Sequence, residues 1–117
     1  MKKAIKISIL TISIFLLNIY VYALSSFDTL TPANGEDISY GDNINFSWEN
    51  GDYDSYKIEI SIVYEITIIV YNKTISNTDL QVSSNNFEYG MRYYWRVLGI
   101  KDGKVTGISY IKSFTLR

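Results

Sequence analysis

Histidine and cysteine are absent from the 117 residues, and proline occurs once. These absences exclude Ser-His-Asp triads, cysteine nucleophiles, thiolate or imidazole zinc sites, iron–sulfur clusters and disulfide staples. No cofactor is expected. Charge of one sign is also scarce, since 11 Lys and Arg stand against 12 Asp and Glu. The bases from Lys57 to Arg117 are scattered singly among acids. No basic stripe follows a phosphate backbone, so nucleic acid is not an expected partner.

The long apolar run that does exist lies at the start. Lys2, Lys3 and Lys6 precede a stretch from Ile7 to Tyr22 broken only by Ser8, Thr11, Ser13 and Asn18. Val21-Tyr22-Ala23 then supplies the spacing of a signal-peptidase site. Residues 1–23 are read as a signal peptide cleaved after Ala23, with Ser25 as the second choice of site. The competing reading is an uncleaved anchor, because the run approaches the roughly 17 residues that span a bilayer. Only that reading gives the chain a membrane partner, and with no Cys to acylate there is no lipid anchor. The expected destination is outside the cytoplasm: secreted, periplasmic or on the cell surface. Cleavage removes three of the bases and no acid, leaving a 94-residue domain, 24–117, with net charge −4.

A domain of that size buries only about 60 to 68% of its unfolded surface and must pack densely without covalent help. The whole chain's 18 Ile and its large aromatics supply the material. Beyond the leader, apolar residues recur with period 2 between clusters of Gly, Asn, Asp and Ser, the pattern of half-buried strands. Ile44, Phe46 and Trp48 alternate with Asn45, Ser47 and Glu49. Tyr56 to Ile62 repeats the alternation after the turn at 50–54. Further strands are expected at Phe27–Thr31, ended by Pro32, and at Glu65–Tyr71, Asp79–Ser83, Met91–Ile100 and Ile108–Leu116. No 3.6-residue period follows residue 24. The fold class is therefore all-β: a two-sheet, seven-stranded Greek-key β-sandwich preceded by a signal peptide.

Particular residues add a resemblance. Leu30-Thr31-Pro32-Ala33-Asn34-Gly35-Glu36, Phe46-Ser47-Trp48, Tyr56 to Ser61, Phe87 with Gly90, Tyr93 to Val97, Gly107 and Ser113-Phe114-Thr115 together resemble a fibronectin type III domain across nearly all of residues 24–117. The resemblance implies that Trp48 fills the centre of the sandwich and that Tyr93 forms the corner before the sixth strand, its hydroxyl bonding to upstream backbone. Trp95 and Phe114 complete the expected core with Trp48 and Tyr93. The apolar run Ile66–Tyr71 and the extra aromatic Trp95 depart from the pattern and leave the local strand order open. Such domains are spacers, adhesion modules or ligand-presenting scaffolds, which implies a non-enzymatic module that binds a protein or a cell-surface polysaccharide.

Candidate contacts follow from faces that should meet water. Tyr94 and Arg96 fall on the outward face of the sixth strand, where an aromatic with an Arg suits a partner contact, while pairing of Arg96 with Glu59 would serve the sheet equally well. If Ile66, Ile68 and Val70 face the core, Ile69 and Tyr71 face solvent. That doubly apolar strand is expected to meet another chain, including weak homo-oligomerisation through Ile66 to Tyr71, unless Tyr64 and Tyr71 cover Ile69. The alternative is a carbohydrate-binding domain with exposed Tyr and Trp as stacking platforms. Asn50, Asp52 and Asp54 alternate as calcium-loop oxygens do but lack the later closing acid. Asp28, Glu36, Asp37 and Asp42 are read as turn acids rather than a glycosidase pair. The tripeptides beginning at Asn45 and Asn72 match the glycosylation pattern by chance, Asn72 at a turn.

Overall fold

The alternation in Asn43–Trp48 buries Ile44, Phe46 and Trp48 and leaves Asn43 and Asn45 in water, so this segment forms a strand with one face inward (β4). The computed structural model describes residues 24–117. Residues 1–23, expected to be a signal peptide, lie outside the described residues. Before β4 come three short strands, Ser25–Phe27 (β1), Thr29–Thr31 (β2) and Glu36–Ile38 (β3). After it come Ser55–Ser61 (β5), Ile69–Ile75 (β6), Asp79–Ser83 (β7), a 3-10 turn at Ser84–Asn86, Arg92–Lys101 (β8), Lys104–Ser109 (β9) and Lys112–Leu116 (β10). Among the described residues no helix is long and apolar enough to cross a membrane.

The strands form two sheets. In the smaller, β4 lies between β2 and β7. In the larger, β5 joins β6 to β8, and β9 and β10 follow one another along the far side of β8. β1 runs parallel to β9, and β3 runs parallel to β10. The apolar faces of the two sheets meet. Phe46 from the small sheet touches Trp95 and Phe114 of the large one at ring-centroid distances of 4.9 and 5.8 Å, and Trp48 reaches Tyr56 at 5.7 Å. Trp48, Tyr93, Trp95 and Phe114 are all in this core.

Among the described residues ten strands stand where seven are expected. The first expected strand is divided at Asp28, with β1 in the large sheet and β2 in the small one, and β3 returns to the large sheet. The last is interrupted at Tyr110 and Ile111, where one extra residue shifts the register against β8 from Leu98↔Ile108 to Trp95↔Lys112. At this break the Val97 N–H donates to the buried Ser109 Oγ at 2.8 Å, so a side chain satisfies the amide that faces the interruption.

The largest departure concerns Glu65–Tyr71. Residues 62–68 form a loop instead of a strand, closed by Ile62 N–H donating to Ile68 O at 3.3 Å, and pairing with β5 starts only at Ile69. Ile66 adopts a left-handed φ of 55° and turns its side chain inward. A shift in register at Ile60/Ser61 then resets the alternation. Tyr71 consequently shares the inner face with Ile60 and packs on Phe87 at 6.0 Å, whereas Ile68 and Val70 are exposed. The expected inside and outside are thus exchanged for Ile68, Val70 and Tyr71. Asn72 lies within β6, not at a turn.

Candidate functional site

The outward face of the large sheet carries three of the four residues singled out for contact, Ile69, Tyr94 and Arg96. Opposed residues point to the same face, and the register sets Tyr94 beside Ser61, Arg96 beside Glu59 and Leu98 beside Lys57. The Arg96 Nε donates to Glu59 Oε1 at 3.0 Å, a second guanidinium nitrogen lies 3.0 Å from the same oxygen, and Lys57 Nζ stands 3.9 Å from the other. The Glu59 side chain is only 7% exposed, although it sits on the outer face. Arg96 is therefore committed to balancing a covered carboxylate, and a partner would meet an ion-paired guanidinium.

Tyr94 is half-buried because Tyr64, from the loop before β6, crosses it edge-on at 5.9 Å and 86°. Tyr64 itself is exposed. Since Tyr64 packs on Tyr94 and Tyr71 packs on Phe87, Ile69 stays 41% exposed, between Ile68 at 50% and Val70 at 45%. Of the four candidate contacts, Tyr94 and Ile69 open to solvent on this face, Arg96 is tied to Glu59, and Tyr71 is turned inward. Both Trp residues are buried, which leaves only Tyr rings for stacking.

The oxygen donors at 50–54 are each engaged within the chain. Asn50 Oδ1 accepts from Tyr56 Oη at 3.0 Å, Asp52 pairs with Lys101, and Asp54 Oδ2 accepts from the Asp102 N–H at 2.8 Å. The bond to Asp52 raises the Lys101 pKa above its ordinary value. Asp28 pairs with Lys112 and Asp37 with Arg117, each at 3.0 Å. Lys112 also donates to Thr29 O, which ties the large sheet to β2 of the small one. The Lys112 hydrogen bond, then that from the Thr29 N–H, lowers the Asp28 pKa. Among the described residues no three acids gather as a metal site.

Comparison of the sequence with protein families finds no match, and comparison with curated proteins finds none. Solved structures do match. The fibronectin(III)-like modules of Clostridium thermocellum CbhA superpose with a TM-score of 0.53 at 14% identity, over 76% of this chain and 92% of theirs. A Fn3-like protein from Clostridium thermocellum gives 0.53 at 19% identity, over 75% and 96%. The fold is that of a fibronectin type III domain. Within this fibronectin type III fold, the corner before β8 is closed by Tyr93, whose hydroxyl accepts the Glu88 N–H at 2.8 Å.

One structural group escapes the sequence reading. The Tyr53 ring lies across Gly99 and Gly107, which face each other on β8 and β9. A Cβ at Gly99 would stand 2.6 Å from that ring. Tyr53 also meets Phe27 and Tyr56 at 5.5 and 5.6 Å. The signal was present as two glycines at inward strand positions, where a missing side chain leaves room for a ring. In the sequence Gly99 falls inside the expected strand Met91–Ile100 and Tyr53 inside the turn at 50–54, and neither pattern links the two.

Proposed function

We propose that the chain is an exported, non-enzymatic binding or scaffold module acting at the cell surface or beyond, with a protein as its partner. One observation carries the reading: Ile68, Ile69 and Val70 form an exposed apolar step at the open edge of the large sheet, next to the Tyr64–Tyr94 pair. Exposed apolar surface bordered by polar groups suits a protein contact. The module reading accords with the fold and with Asp28 and Asp37 each held by a base. Sugar stacking requires coplanar exposed rings, yet Tyr64 and Tyr94 are crossed at 86°, and Tyr40 and Tyr89 at 80°.

The test expresses the full-length gene in a bacterial host and follows the exported product. An intact mass beginning at Leu24 is expected. Product mixed with washed cell envelopes should co-sediment, and protease treatment of the envelopes or Ile69→Lys in the product should abolish this. Retention that survives protease and is displaced by soluble polysaccharide would favour the carbohydrate reading. Product retained by nothing would overturn the binding reading, and a full-length membrane-bound product would make this a tethered domain.

A further inference from the structure

β6 is the outer strand of the large sheet. β5 covers one of its sides, and no strand among the described residues pairs with the other. Alternate amides and carbonyls of such a strand point outward and form a template for another strand. The sequence of β6, Ile69-Val70-Tyr71-Asn72-Lys73-Thr74-Ile75, is close to a chemical palindrome about Asn72. Laid antiparallel on its own copy with Asn72 facing Asn72, it sets Ile69 against Ile75, Val70 against Thr74 and Tyr71 against Lys73. The outer pairs are β-branched residues, which pack well across strands, and the inner pair places an ammonium beside a phenol ring.

Charge disfavours the neighbouring register. Lys73 is the single charged residue of β6, and centring the pairing on it would oppose two ammonium groups. Centred on Asn72, it meets Tyr71 of the copy instead. The domain at 24–117 carries a net charge of −4, so two copies approach with least repulsion along a segment that has no acid. We infer that the exported domain forms a two-fold dimer by antiparallel pairing of β6 with β6 of a second copy, centred on Asn72. This deepens the binding-module reading by naming a second copy of the chain as the partner of that edge, through the self-complementary patch that two-fold symmetry requires.

The register yields a specific experiment. The exported product of the full-length gene is followed by light scattering over about a hundredfold range of concentration, and its mass should rise to that of a dimer. At a two-fold centre any charge meets its own copy. Asn72→Asp and Asn72→Lys should each weaken self-association about tenfold, and an equimolar mixture of the two should restore it. Asn72→Cys places the only thiols of the pair on opposed residues whose Cα atoms lie about 5.5 Å apart, within disulfide reach. Air oxidation should give a covalent dimer on a non-reducing gel. A wild type that stays monomeric, a dimer indifferent to both charges, or a Cys variant that does not cross-link would overturn the pairing. Envelope retention by a monomeric wild type would overturn the dimer and leave the binding module standing. A dimer without envelope retention would do the reverse.

Discussion

Tyr53 shows how one side chain can hold the end of a sandwich that its strands leave empty. Gly99 and Gly107 present no side chain inward, and the ring occupies the space that two core residues would take. A methyl group added at Gly107 meets this ring, so Gly107→Ala should lower stability by about 1–3 kcal/mol through overpacking. Urea unfolding of Gly107→Ala, Tyr53→Ala and the double variant provides the check. In the Tyr53→Ala background the added methyl should cost much less, because the ring it displaces is gone. Equal costs in both backgrounds would show that the backbone at 107 is the obstacle. Tyr93 acts through its hydroxyl, which accepts the Glu88 N–H. Tyr93→Phe keeps the ring and removes that acceptor, so a loss of about 1–2 kcal/mol is expected in the same assay. An unchanged midpoint would assign the corner to ring packing alone.

Strands with an unbroken two-residue period were legible in the sequence, and strands defined by their neighbours were not. β4, β5, β7 and β8 fall within a residue or so of the runs that predicted them. β1, β2 and β3 have three residues each, too few to display a period. β6 was misplaced because Ile66 to Val70 satisfies the strand pattern, while burial of Ile66 offsets its left-handed backbone, a conformation that β-branched residues rarely adopt. Of the candidate contacts, Tyr71 moves inward with it while Ile69 stays exposed, because a register shift that leaves no mark in composition separates their faces. The split of the first strand has its own fastening, the Lys112–Asp28 pair with the bond to Thr29 O. The Asp28 pKa is lowered in the folded state, so ionised Asp28 favours folding. That contribution is complete above the unfolded value of about 3.9 and is lost as pH falls through the lower folded value. Because Asp28 is exposed, the effect should be small. Asp28→Asn should melt below wild type near neutral pH, and the two melting temperatures should converge as pH falls through and below the carboxylate range. A constant gap down to the most acidic pH would show that the fastening does not depend on the charge.

The two sheets share one core. Phe46 of the small sheet lies between Trp95 and Phe114 of the large one, and Trp48 reaches Tyr56 across the same interface. The small sheet has only three strands, and its apolar side chains Ile44, Phe46, Trp48 and Val82 are buried in that interface. An isolated sheet of this kind is marginal in water without something to pack against. The chain also crosses between sheets from β1 to β2 and back to β3, so separating them would pull on β1 and β3 of the large sheet and on β2 of the small one. Unfolding should therefore be a single cooperative transition. Each sheet carries one reporter, Trp48 in the small sheet and Trp95 in the large one. In Trp95→Phe, fluorescence reports the small sheet; in Trp48→Phe, it reports the large one. Within each variant, the urea transition seen by fluorescence should coincide with that seen by far-ultraviolet circular dichroism, although the two variants will have different midpoints. A Trp48 signal that moves before the circular dichroism would mean that β2, β4 and β7 detach first and that the large sheet persists on its own. The contacts of Phe46 with Trp95 and Phe114 argue against that order, because detachment would expose the large sheet's inner face before any strand of it had melted.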